Sequence, residues 1–173
     1  MDISKKIKFL SICVFLVFPL IPNSYAGDDI FIGLGVGNDG INAIRLSKEI
    51  DNGKFYATDL ARVSEIGMNL WNKNKSSSSS ESSNISVTYS NILIKKFDNN
   101  FQISSGLGIA ILSDNKIGER NLGTSLQFES RFGVGYETSN TSSTLNLFHY
   151  SNAGTATSNS GINVLMFNVS HLF

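Results

Sequence analysis

The chain has 173 residues with 14 basic and 14 acidic side chains, so its formal net charge at pH 7 is zero. This balance gives no reason to expect nucleic acid as a partner. The single cysteine, Cys13, lies in a segment that we expect to be removed, which excludes disulfides, thiolate metal sites and a cysteine nucleophile from the mature protein.

The first 26 residues are typical of a cleaved secretory signal peptide. Three lysines precede a short apolar core, Phe9–Ile21, and the small residues Ser24 and Ala26 stand at the cleavage positions. The core is too short for a membrane anchor and contains a proline. We expect cleavage after Ala26, which removes three lysines and one aspartate and leaves one domain, Gly27–Phe173, with 11 basic and 13 acidic residues.

Glycine and a two-residue alternation of apolar and polar side chains run through the mature chain, which predicts β-strands and no long helix. We expect eight strands, at about residues 30–37, 41–50, 57–72, 84–97, 101–112, 122–137, 145–152 and 163–173. The alternation slips between Ser90 and Ile92 in the fourth strand, which predicts a bulge there.

The two faces of these strands differ in a way that favours a membrane barrel. One face is bulky and aliphatic, whereas the other carries small residues and a few polar ones. An eight-stranded barrel has an interior just wide enough for side chains, and its aliphatic face suits lipid. We therefore predict an all-β, eight-stranded antiparallel transmembrane β-barrel. Glu129 and Arg131 are expected to form a structural ionic network inside it, with a catalytic role for them as the minor alternative.

The connections and the last residue indicate the outer membrane of a bacterium. With the N-terminus in the periplasm, the longer connections Lys73–Ser83, Ser113–Asn121 and Ala153–Ile162 fall on the outer side, as in outer-membrane barrels. The run Ser76–Ser80 is expected to be a solvated outer loop. An alternating strand that ends in Phe173 resembles the terminal strand of such barrels.

A histidine and a serine share one face of the seventh predicted strand. His149 and Ser151 are two residues apart and follow Leu145 and Leu147 on the lipid-facing side. Asn163 begins the eighth strand in the same phase and near the same outer end. Polar side chains against hydrocarbon are costly, which favours a functional explanation. A base and a hydroxyl on an apolar face indicate a nucleophile pair that acts on an apolar substrate.

Two segments resemble lipid A 3-O-deacylases of the PagL type. Residues 148–154 and 159–163, which read FHYSNAG and NSGIN, are similar to the active-site segment of that family, and residues 122–135 are similar to the strand before it. The resemblance implies an outer-leaflet esterase that removes the 3-O-linked acyl chain of lipid A without a cofactor or metal. Lipid A, or lipopolysaccharide, and outer-membrane lipid are the implied partners, and a homodimer is left open.

The resemblance implies a role for five residues. Ser151 matches the nucleophile, and His149 matches the general base that takes its proton. Asn152 and Gly154 lie where the family is thought to stabilise the oxyanion. Asn163 stands where the family has a glutamate. An amide oxygen can orient the histidine but brings no negative charge, so the sequence leaves open a reduced rate or help from another carboxylate.

Two other functions are compatible with a small barrel. A non-catalytic structural or adhesive barrel on the same scaffold would account for Asn163. A pore is disfavoured because side chains fill so narrow a lumen. The lipid A of cells with and without the protein would discriminate between an enzyme and a non-catalytic barrel.

Overall fold

A computed structural model describes residues 29–73 and 82–171. For His171 it describes the backbone, which lies in a strand, and not the side chain. The expected signal peptide, the run Ser76–Ser80 and the terminal Phe173 lie outside these residues. Within the described ranges, no helix is long and apolar enough to cross a membrane.

Eight long antiparallel strands close into one barrel, which confirms the predicted fold class. Its strands are β1 Ile30–Gly37, β2 Ile41–Lys54, β3 Leu60–Lys73, β4 Ser82–Lys96, β5 Phe101–Leu112, β8 Leu126–Glu137, β9 Thr141–Ser151 and β10 Ile162–His171. A short hairpin, β6 Lys116–Ile117 and β7 Arg120–Asn121, lies in the connection between β5 and β8. Pairing of β1 with β10 closes the sheet.

The connections define two ends of the barrel. The loop end carries residues 38–40, 113–125 and 152–161, the end of β3 at Lys73 and the start of β4 at Ser82. The turn end carries residues 55–59, 97–100 and 138–140. Long connections in outer-membrane barrels face the cell exterior. The loop end is accordingly the outer end, and both β9 and β1 run towards it.

The predicted bulge in the fourth strand is wrong. The register of β4 with β3 and with β5 continues without a shift through residues 90–92. Ile92 and Ile94 point inward and pack with Val63, so the apolar side chains change face there while the backbone alternation is unbroken. A register shift occurs instead between Asp51 and Lys54 of β2.

Several strand bounds also differ from the sequence prediction. β2 continues to Lys54, four residues beyond the predicted end, and β3 begins at Leu60 and not at Ala57. β8 begins at Leu126 and not at Leu122, because Gly123 has a φ of +80° and residues 122–125 belong to the loop. β9 begins at Thr141, four residues before the predicted start. Two of its polar first residues, Ser142 and Thr144, line the turn end of the lumen.

The predicted inside and outside faces are confirmed. Leu107 and Ile111 on β5 point outward and are exposed, whereas Ala110 between them is fully buried. An exposed aliphatic belt continues around the barrel, as lipid contact requires. It includes Ile32, Leu34, Val36, Ile44, Leu46, Met68, Leu70, Val87, Phe132, Val134, Leu147, Leu165 and Phe167.

Glu129 and Arg131 lie in an interior ionic network, as predicted, but they are linked through two other residues. Arg45 pairs with Glu65 and lies 3.5 Å from Glu129 Oε2. Glu65 also accepts from Arg131 Nη1 at 3.0 Å. Buried charges are tolerated only when they are paired in this way.

Apolar side chains fill the lumen between this network and the loop end. Trp71, Phe148 and Tyr150 are almost fully buried there, and Ile117 and Leu122 from the β5–β8 connection pack with them. On the other side of the network, towards the turn end, lies a polar cavity of about 260 Å³. The apolar layer holds the inward side chains of β9 in place, and it thereby fixes the backbone that carries the outward residues of this strand.

Candidate active site

His149 and Asn163 meet on the outer wall of the barrel, as the sequence predicted. They are directly opposed in the register of β9 with β10. His149 Nδ1 lies 2.7 Å from Asn163 Oδ1, and both side chains are exposed. Since an amide oxygen can only accept, His149 donates from Nδ1, and this bond selects the tautomer with Nε2 unprotonated.

The neighbours of His149 along β9 fix the position of its backbone. Phe148 and Tyr150 point into the lumen and are almost fully buried. Arg45 Cζ lies 5.0 Å from the centroid of the Phe148 ring, and Arg45 Nη1 donates to the Tyr150 hydroxyl at 3.3 Å. Trp71 packs edge-on against Tyr150 with ring centroids 5.2 Å apart. Because strand residues alternate in direction, these inward anchors hold His149 outward.

Ser151 is the last residue of β9 and lies on the same face as His149, one step nearer the loop end. It is half-buried and is opposed by Phe128 of β8. Among the residues that the structure describes, Ser151 Oγ has no hydrogen-bond partner, so the serine and the histidine share a surface without a direct bond. Catalytic hydrogen bonds are often formed only once substrate is bound.

Gly161 packs against both side chains, a contact that the sequence analysis did not predict. Its φ is +56°, in the left-handed region that favours glycine. A Cβ at this position would lie 3.3 Å from His149 Cε1 and 3.9 Å from Ser151 Cβ. The residue therefore borders the space between the His149 ring and the Ser151 side chain.

Arg120 of the short hairpin holds the bend that contains Gly161. Its Nη1 donates to the carbonyl oxygens of Ser160 at 2.7 Å and Gly161 at 2.5 Å. Its Nε donates to Asp39 Oδ2 at 2.7 Å. The backbone N–H of Asn163 donates to Asn38 Oδ1 at 3.0 Å. Three connections at the loop end thus converge on the start of β10, and the sequence analysis assigned no role to Arg120.

Asn152 and Gly154, the residues expected to stabilise an oxyanion, hold the loop after β9 in this structure. The Asn152 side chain is fully buried and donates to the carbonyl oxygens of Leu122 at 2.8 Å and Ser158 at 2.6 Å. Its Oδ1 accepts from the Gly154 N–H at 2.8 Å. Their oxyanion role stays a prediction.

Ser130 completes a row of polar side chains across three strands. It is opposed to His149 in the register of β8 with β9, on the side away from Asn163. Ser130 is half-buried, and its hydroxyl has no hydrogen-bond partner in the described part of the chain. In the same described ranges, no group of three His, Cys, Asp or Glu side chains could hold a metal ion.

A family model described as "Lipid A 3-O-deacylase (PagL)" matches residues 42–171. The chain is also similar to a curated relative, "Lipid A deacylase PagL" of Pseudomonas aeruginosa, with 44% identity over 61 residues. That match spans 35% of this chain and 35% of the relative, so it compares about a third of each protein.

Two solved structures resemble the barrel. The crystal structure of the outer membrane enzyme PagL superposes with a TM-score of 0.72 and 25% identity, covering 82% of this chain and 97% of that one. The crystal structure of Neisserial surface protein A superposes with a TM-score of 0.56 and 15% identity, covering 85% of this chain and 95% of the other. The second likeness concerns the fold alone.

Proposed function

Because the chain belongs to the lipid A 3-O-deacylase (PagL) family of outer-membrane β-barrels, we propose that it hydrolyses the 3-O-linked acyl ester of lipid A in the outer leaflet. The observation that carries this proposal is the 2.7 Å hydrogen bond between His149 Nδ1 and Asn163 Oδ1 on the outer wall. An oriented imidazole beside a serine, on a surface that faces hydrocarbon, is the arrangement that a lipid esterase needs.

The first half of the proposed reaction forms an acyl-enzyme. Ser151 Oγ attacks the ester carbonyl while its proton passes to His149 Nε2, which the bond to Asn163 leaves unprotonated. The tetrahedral intermediate then collapses, and the bond between the carbonyl carbon and the sugar oxygen breaks. His149 returns the proton to the leaving sugar hydroxyl.

The second half uses water as the nucleophile. His149 Nε2 takes a proton from water, whose oxygen attacks the acyl carbon, and the Ser151 oxygen leaves with that proton. The products are a free fatty acid and the enzyme in its starting state. The exposure of His149 at the outer end of β9 supports this step, because bulk water meets the leaflet there.

The depth of the site fits the substrate. Ser151 ends β9 at the loop end, and Leu147, two residues below His149, is exposed in the aliphatic belt. An ester between a sugar headgroup and acyl chains lies at the same boundary of polar and apolar surroundings. Lipid A and the surrounding outer-membrane lipid are therefore the proposed partners.

The first experiment replaces each member of the pair. Ser151→Ala and His149→Ala should abolish release of a 3-hydroxy fatty acid from lipid A, because neither nucleophile nor base remains, whereas backbone bonds keep the sheet intact. Release is measured by mass spectrometry of lipid A, and folding by heat-modifiable migration on gels. Ser105→Ala, an outward serine opposed to Phe132 on β5 and β8, is the matched control. Retained deacylation in a folded variant of either residue would refute the assignment.

One observation favours a second candidate function. Asn163 provides no negative charge to stabilise an imidazolium at His149, unlike the glutamate that the family resemblance leads one to expect. A non-catalytic structural or adhesive barrel on the same scaffold would tolerate that change. Unaltered lipid A in cells that contain the folded wild-type protein would favour this candidate.

A further inference from the structure

The row Asn163–His149–Ser130 has one member with no assigned role. Asn163 orients His149 from one side, and Ser130 flanks the same histidine from the other. Directly opposed residues of neighbouring strands have Cβ atoms about 4.5–5.5 Å apart. The Ser130 hydroxyl is thus part of the outer surface that adjoins His149.

The surroundings of Ser130 are otherwise apolar. Phe128 and Phe132 flank it along the outward face of β8, and Leu107 opposes it on β5. A hydroxyl that faces hydrocarbon without a hydrogen bond is unfavourable. Sheet formation does not require this side chain, since the backbone of β8 makes the ladder. A polar group carried by the bound lipid would satisfy the hydroxyl.

The position of Ser130 relative to Ser151 gives the direction in which that lipid group must lie. Ser151 is opposed to Phe128, and Ser130 is two residues further from the outer end of β8. Diagonal neighbours of this kind are about 7–8 Å apart. An acyl chain whose carbonyl carbon lies at Ser151 and which descends into the leaflet therefore passes over Ser130 within its first few carbons.

We propose that Ser130 hydrogen-bonds the hydroxyl on carbon 3 of the acyl chain that is removed, and that it thereby makes the enzyme selective for 3-hydroxyacyl esters over unsubstituted ones. This inference rests on the proposed deacylase function. Carbon 3 is two carbons beyond the ester carbonyl. That span, together with a reacting distance of about 3–3.5 Å at Ser151 and one hydrogen bond of about 2.8 Å at Ser130, covers the separation of the two serines. A site built to bond a substrate hydroxyl disfavours an analogue that lacks it, because the protein group is then left unpaired.

The test compares two synthetic substrates, 3-O-acylated glucosamine phosphates whose acyl chains have equal length and differ only in the 3-hydroxyl. The readout is the ratio of their kcat/KM values in detergent micelles. Wild type should favour the 3-hydroxyacyl substrate, and Ser130→Ala should reduce that ratio about five- to tenfold, the effect of one hydrogen bond. Ser130→Thr keeps a hydroxyl and should retain the preference. Ser143→Ala, on the outward face of β9 and six residues from His149, should leave the ratio unchanged.

The possible failures are distinct. If wild type releases acyl chains but Ser130→Ala keeps the full preference for the 3-hydroxyl, Ser130 does not read that group and the inference is wrong. An equal loss on both substrates would assign Ser130 a purely structural role and would also overturn it. If folded wild-type protein releases neither acyl chain, the proposed function itself fails and this inference fails with it.

Discussion

The family resemblance leads one to expect a glutamate where this chain has Asn163, whose Oδ1 lies 2.7 Å from His149 Nδ1. An amide oxygen fixes the tautomer of His149 as a carboxylate would. The electrostatic part of that role, stabilisation of a positively charged imidazole, is missing. The two contributions can therefore be separated by substitution at a single position.

We expect Asn163→Ala to lower the deacylation rate, because the imidazole loses its orienting acceptor. Asn163→Glu should preserve or raise the rate, because it adds a negative charge that stabilises the imidazolium. The desolvation of a carboxylate beside lipid reduces this gain. In a soluble protease, changing the triad carboxylate to an amide lowers kcat by about 10⁴-fold. That factor is an upper limit for the gain in rate from Asn163→Glu. Rates are measured as fatty acid released per folded protein.

Asn72→Ala supplies the control, since Asn72 lies on β3 and pairs with β2 and β4, away from the site. A folded Asn163→Ala protein with unchanged turnover would exclude Asn163 as the third member of the site. The orienting group would then have to be another residue, or His149 and Ser151 would act as a dyad.

At the scale of single residues, the alternation of the sequence predicted that His149 and Asn163 lie on one face of the sheet. It did not predict the residues that hold them in place. Alternation along a strand fixes which side chains point outward, and both residues begin or end a periodic segment. Gly161 and Arg120 lie in connections without periodicity. Their contacts join residues that are 10 to 81 positions apart in the chain, so no local pattern encodes them.

The connections at the loop end act as supports for the site. The hairpin of β6 and β7 uses Arg120 to tie the bend at Ser160 and Gly161 to Asp39. Gly161 in turn lies against the His149 ring. The order of this bend thus determines how much freedom the imidazole has.

We expect Arg120→Ala to lower kcat of deacylation by about tenfold while the barrel stays folded. Two carbonyl oxygens lose a charged donor, and a positioning error of about 1 Å at a catalytic group can cost as much as 10²-fold. Arg120→Lys should recover only part of the rate, because one ammonium cannot reproduce the forked geometry. The quantities measured are kcat, KM and heat-modifiable migration.

Lys116→Ala in the same hairpin provides the comparison, since Lys116 is exposed and its backbone N–H and carbonyl form its hydrogen bonds. If Arg120→Ala changed KM alone, with kcat at the wild-type value, Arg120 would act in binding and not in positioning. Its role as a support for the base would then be excluded.

Strand identity was predictable from alternation, whereas two local features were not. Ile92 and Ile94 are apolar residues that point into the lumen beside Val63. In the sequence, this change of the apolar face looks like a bulge. The polar start of β9 resembles a turn because Ser142 and its neighbours line an interior that is itself polar. In both places the lumen, not the strand, sets which residue types occur.

The whole barrel has an apolar exterior and a mixed interior, and one type of substitution can test both. Leu107→Arg places a charge on the lipid face and should destabilise the barrel by about 2–4 kcal/mol near the bilayer midplane. Ser104→Arg, three residues away on β5, points into the cavity of about 260 Å³ lined by Glu49, Asp51 and Glu137. Glu49 and Glu137 already pair with Arg131 and Lys96, which also line this cavity. The cavity still offers space and the carboxylate of Asp51, so we expect a smaller loss.

Stability is followed by reversible unfolding in urea in the presence of lipid vesicles, with wild type as reference. Suppose that Leu107→Arg leaves stability unchanged and Ser104→Arg strongly lowers it. The face of Leu107 would then point to the interior, and the face of Ser104 to the lipid. The assignment of the lipid-facing surface, and of the site on it, would then be wrong.

The apolar layer around Trp71, Phe148 and Tyr150 has a kinetic consequence. Since this layer fills the lumen at the loop end and His149 lies on the wall, we expect the proposed lipid substrate to arrive by lateral diffusion within one leaflet and the product to leave by the same route. Encounter is then two-dimensional, and its frequency depends on the mole fraction of substrate among the surrounding lipids. Dilution of that fraction with inert lipid should slow the reaction even where the total amount of substrate in the sample is constant.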